Sequence, residues 1–76
     1  MNRIRRKSLQ KIIGHLEELK SSLEDIQSEE EEYRDSIPEN MQSGERYKRA
    51  DEACDNLSDA VDNLEEVISS IEAAIE

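Results

Sequence analysis

Apolar residues recur along residues 47–76 at alternating intervals of three and four: Tyr47, Ala50, Cys54, Leu57, Val61, Leu64, Ile68, Ile71 and Ile75. That spacing predicts a helix with one packed seam. With Tyr47 at heptad position a, a second stripe of Ala53, Ala60, Val67 and Ala74 falls at g, beside the seam. The apolar arc is therefore wider than contact with a single helix requires. Residues 9–37 repeat the pattern with Leu9 at a: Leu9, Ile12, Leu16, Leu19, Leu23, Ile26, Glu30, Tyr33 and Ile37. Leu at a with Ile at d leans toward four-helix assemblies. Glu30 is the one charge in this seam. Gly14 lowers helix propensity by up to about 1 kcal/mol and is expected to mark a close contact, while His15, at g, is expected on the surface.

Between the two patterns lies PENMQSG, residues 38–44. Pro38 disfavours a helical Ile37 and ends the first helix near Ser36. Ser43 is the expected N-cap of the second helix, with Glu45 in the first turn favouring the dipole. Met41 is expected to fold back onto the hairpin end. A connection this short makes the helices antiparallel neighbours. The predicted fold is all-α: one domain over 1–76, an antiparallel two-helix coiled-coil hairpin with helix 1 about 3–36, a loop at 37–43 and helix 2 about 44–75. Turning the chain about Asn40 pairs Leu9 with Ile71, Ile12 with Ile68, Leu16 with Leu64, Leu19 with Val61, Leu23 with Leu57, Ile26 with Cys54, Glu30 with Ala50 and Tyr33 with Tyr47. This register also sets Arg3, Arg5, Arg6, Lys7 and Lys11 beside Glu65, Glu66, Glu72 and Glu76.

A chain of 76 residues forms a small core and usually needs a disulfide, a metal or association. Cys54 is the only cysteine, which removes an internal disulfide and suits a reducing cytoplasm. With His15 the only other soft ligand, no metal site is expected, and nothing implies a cofactor. Association remains: a homo-oligomer, a four-helix bundle or larger, through Ala53, Ala60, Val67 and Ala74 of helix 2 and Ile4 and Ile13 of helix 1. The formal charge of −10, from 20 acidic and 10 basic side chains, opposes that association. No apolar run approaches the roughly 20 residues of a membrane span, and the basic N-terminus lacks the apolar stretch of a secretory signal.

Three features could carry function. Arg3, Arg5, Arg6 and Lys7 are either a solvated helix start or a basic arm for phosphate groups; with no interleaved aromatic, direct nucleic-acid binding is not supported. At the loop end, Glu30, Tyr33, Tyr47 and Cys54, ringed by Arg34, Arg46, Lys48 and Arg49, are either a polar notch that fixes register or a site for an anionic ligand. No catalytic residue is expected, because Glu30 has no His or metal partner and no nucleophile motif or Gly-rich phosphate loop is present. The acidic runs Glu29–Glu32 and Asp51–Asp62 are either solvated faces or a surface that imitates nucleic-acid phosphates.

The stretch from Tyr33 to Tyr47, YRDSIPENMQSGERY, followed by an acidic, alanine-containing helix, resembles small phage and prophage proteins of Firmicutes with an "IPEN" or "MPEN" loop. The likeness spans roughly residues 24–76. It implies no activity, so no functional residue is carried over from it. It does imply a small phage accessory or anti-defence protein working in the cytoplasm of a bacterial host. Three functions follow as expectations: a non-enzymatic self-associating module, an inhibitor that blocks or mimics at a basic host protein, or an oligomeric sponge for a small anionic nucleotide.

Overall fold

The computed structural model describes residues 1–76. Helix α1 spans Arg3–Asp35 and α2 spans Glu45–Ile75, with one 3₁₀ turn, Glu39–Met41, between them. The two helices pack side by side as a hairpin of 59 × 15 × 13 Å. There are no strands and no cis peptide bonds.

The helix ends are set locally. Asn2 caps α1: its Oδ1 accepts from the Arg5 N–H at 2.8 Å, satisfying one of the amides left free at a helix start. At the other end the Ser36 N–H donates to Glu32 O and the Ser36 hydroxyl donates to Tyr33 O at 2.7 Å. Gly44, rather than Ser43, caps α2, and it does so without a side-chain hydrogen bond. Ser43 sits one residue too early because the Gly44 N–H donates to Met41 O at 3.1 Å. A Cβ at residue 44 would lie 3.2 Å from that same carbonyl, so the tight approach favours glycine. The residue that plugs the turn is Ile37, 3% exposed, whereas Met41 stays half exposed. Gln42 Nε2 donates to Ile37 O at 3.3 Å and holds the loop over it.

The α2 seam follows the pattern: Ala50, Cys54, Val61 and Ile68 are buried, and Tyr47, Leu57, Leu64, Ile71 and Ile75 are half-buried. The α1 seam does not. Its half-buried residues include Leu9, Ile13, Leu16, Lys20, Leu23, Gln27, Glu30 and Arg34, which are heptad positions a and e. The d residues Ile12, Leu19, Ile26 and Tyr33, expected in the seam, are 41–58% exposed. A contact with one helix needs only a narrow strip of α1, and two ion pairs lie beside the strip that is used. Lys20 Nζ lies 3.4 Å from Glu65, and Arg34 Nη1 lies 3.0 Å from Asp51. Long basic side chains at e cover α2 with their stems while their heads reach its acids. That rotation turns d away from α2. Gly14 has no neighbour within 4 Å of a would-be Cβ. It faces outward at f and marks no close contact.

Candidate functional site

Two flanks border the hairpin seam, and they differ in chemistry. Lys20–Glu65 and Arg34–Asp51 join e of α1 to e of α2. On that side Gln10, Ile13, Glu72, Ile75 and Glu76 line an open groove. On the opposite side Arg46, at g of α2, reaches Tyr33, at d of α1. The Arg46 Nε–H donates to the Tyr33 hydroxyl at 2.7 Å, and the guanidinium carbon sits 5.2 Å from the ring centroid. The uncovered d stripe of α1 and the g stripe of α2 therefore share one flank. Ala53, Ala60, Val67 and Ala74 belong to it. Ile13 does not, since it lines the far groove, and Ile4 lies at c, beside Lys7, Ser8 and Lys11.

The loop-end cluster predicted from sequence is split by this geometry. Glu30, Tyr33, Arg46 and Arg49 line one shallow groove together with Glu45 and Ala50. Arg34 lies on the other flank, where its Nε–H donates to Asp35 and its Nη1 to Asp51, both at 3.0 Å. Asp35 first, and Asp51 after it, hold the guanidinium firmly protonated against a desolvation cost. Tyr47 is half-buried in the seam at a, and Lys48, at b, faces away from the groove. In the groove, Arg46 is committed to Tyr33, Arg49 stands 3.7 Å from Glu45, and two of the six lining residues are carboxylates. That arrangement repels an added anion as much as it attracts one. Glu30 is half-buried with no hydrogen bond or ion pair, and no buried polar side-chain atom in the protein lacks a partner. The contacts in the groove are local: Arg46 with Tyr33 across the hairpin and Arg49 with Glu45 within α2.

Cys54 is buried, and desolvation raises its thiol pKa, partly offset by the Arg34 charge and reinforced by Glu31, Glu30 and Asp51. A protonated, covered thiol is neither a nucleophile nor a ready metal ligand. No three His, Cys, Asp or Glu side chains form a cluster able to hold a metal ion. No helix is long and apolar enough to cross a membrane.

Arg3, Arg5, Arg6, Lys7 and Lys11 form none of the structure's four ion pairs. The cross-hairpin pairing expected for them with Glu65, Glu66, Glu72 and Glu76 is absent, and Glu65 pairs with Lys20 instead. These five basic residues lie exposed on the first turns of α1.

The feature missed from sequence is that the d stripe of α1 is left uncovered and joins the g stripe of α2 on one flank. On α1 its d and g positions from Ser8 to Tyr33 are Ser8, Ile12, His15, Leu19, Ser22, Ile26, Glu29 and Tyr33, with Arg5 at the next d position toward the free end. On α2 it comprises g and c: Ala53, Asn56, Ala60, Asn63, Val67, Ser70 and Ala74. In a chain with 39% charged residues, Glu29 is the only formally charged residue between Ser8 and Tyr33 on α1 and between Ala53 and Ala74 on α2 at these positions, with His15 neutral. Arg46 and Arg49 continue g and c at the loop end and close the uncharged stretch there. The signal was legible once c and g of α2 were read as a pair. No protein-family model, curated protein or solved structure matches the chain.

Proposed function

We propose that this protein is a self-associating helical interaction module with no chemistry of its own. The observation that carries the reading is the stripe of Ile12, Leu19, Ile26 and Tyr33, left 41–58% exposed by the hairpin, with Val67 beside it. Only five residues are buried, and no side chain falls below 2% exposure. Covering half of five large apolar side chains is worth about 1 kcal/mol each. That total is comparable to the whole stability of a small domain. Association thus supplies the core that one hairpin lacks.

The loop resemblance supports placing the module among phage-type accessory proteins, acting in the cytoplasm of a bacterial host. A second reading, the blocking of a basic host protein, is favoured by the unpaired acids. Of the 20 acidic side chains, only Asp35, Glu45, Asp51 and Glu65 engage a base. The nucleotide sponge has less support, because the arginines nearest the candidate groove already face carboxylates or Tyr33.

Self-association is tested by thermal unfolding, followed by circular dichroism, over a wide range of protein concentration. Mass action makes the melting temperature of an oligomer rise with concentration. A midpoint independent of concentration would overturn the reading.

A further inference from the structure

We infer that the uncharged flank docks against the same flank of a second copy, with the two loops at opposite ends of the resulting four-helix bundle. The inference rests on the self-association proposed above and adds its surface and orientation.

The flank runs from Ser8 to Tyr33 along α1, about 38 Å at 1.5 Å per residue. With a hairpin width of 15 Å it offers roughly 570 Å² per copy, so two copies bury more than the ~1,000 Å² that marks a specific interface. Its apolar ridge is Ile12, Leu19, Ile26 and Tyr33. Small residues at 53, 60 and 74 let helices approach closely.

A second copy fits because the flank is nearly free of charge. Face-to-face contact brings almost no like charges together, although each copy carries −10. Charge then selects the orientation. The free end of the hairpin holds Arg3, Arg5, Arg6, Lys7 and Lys11 against Glu65, Glu66, Glu72 and Glu76, a small positive excess. The middle and the loop end are acidic, with Glu29–Glu32 and Glu39 outweighing the bases Arg46, Lys48 and Arg49 at the loop end. Loops at the same end would stack acid on acid. Loops at opposite ends bring the basic first turns of α1 in each copy, which form no ion pair within the hairpin, to the acidic loop end of the other, which is the complementary arrangement. A two-fold axis through the middle of the ridge, near Ser22, covers all four ridge residues and sets α1 antiparallel to α1 of the partner.

Single cysteines in a Cys54→Ala background test this by disulfide trapping, with the mass of each variant measured alongside. Ser22→Cys is expected to link two copies efficiently. Ser8→Cys is expected not to, because the two positions lie roughly 40 Å apart at 1.5 Å per residue. An equimolar mixture of His15→Cys and Glu29→Cys is expected to give the mixed dimer. Linking at Ser8 as readily as at Ser22 would place the loops at the same end and overturn the inference. Assemblies of the expected mass that fail to link at Ser22 would overturn the docking surface while leaving self-association standing. A mass near 8.8 kDa for every variant and for the native chain would remove both.

Discussion

Leu19 is the sharpest probe of the uncovered ridge. It is 58% exposed in the hairpin, so Leu19→Ala removes a side chain that is less than half covered within one chain. At about 0.8 kcal/mol per buried methylene-sized group, the truncation costs a lone hairpin roughly 1 kcal/mol. The exposed remainder is buried only on docking, and is worth a further ~1.4 kcal/mol per copy on the same scale. Both copies lose it, so the dimer weakens by about 2.8 kcal/mol, a roughly hundredfold rise in the dissociation constant. An unfilled cavity would add to that loss. Sedimentation equilibrium measures the dissociation constant directly. Ile4→Ala is the control: Ile4 is 76% exposed and lies off the flank, so it should shift neither stability nor association by more than about 0.5 kcal/mol. An unchanged dissociation constant for Leu19→Ala, with the loss limited to a concentration-independent value of about 1 kcal/mol, would refute the reasoning.

Gly14→Ala should stabilise the fold by up to about 1 kcal/mol, because the added methyl meets nothing within 4 Å; a loss in chemical denaturation would show that position 14 is a contact after all. Glu30→Leu should keep helix content and hold or raise the melting temperature, since the half-buried carboxylate has no partner to lose; a drop of several degrees would reveal a structural pairing. Arg34→Met keeps the stem over α2 and removes the pair with Asp51, whose carboxylate is half exposed, so the denaturant midpoint should fall only slightly; a fall as large as that for Val61→Ala would show the pair to be part of the core. The raised pKa of Cys54 has a definite sign. The folded state holds its proton to higher pH than the unfolded chain, so this stability is fully present below about 8.5, the ordinary thiol value, and is lost as pH rises through the folded value. The decline above that pH should be shallower in Cys54→Ala, and an identical profile would show the thiol to be solvated.

Much of this architecture could be read from the three–four spacing, because a helix pair is specified by periodicity alone. The α2 seam is an example: Cys54, Val61 and Ile68 sit where the repeat puts them. The α1 rotation was not legible. Leu at a and Ile at d are equally apolar, so composition could not say which of the two faces α2. The strip that does so carries Lys20 and Arg34, which reach Glu65 and Asp51, contacts that depend on the partner helix. The same rotation split the loop-end cluster, sending Arg34 to one flank and Tyr33 with Arg46 to the other. The caps were only partly legible, since the backbone of Met41 and Gly44 overrode the ordinary preference for Ser43. The uncharged flank is an intermediate case: its g stripe on α2 was legible as an association surface, but its other half, the α1 ridge, was not, and the Tyr33–Arg46 contact joins the two.

The central proposal is that one hairpin is half of a core, and sedimentation equilibrium of the native chain at physiological salt tests that most directly. The expected mass is at least twice 8.8 kDa, falling toward the single-chain value in Leu19→Ala as the protein is diluted. A single species of 8.8 kDa at every concentration, native and variant alike, would contradict it.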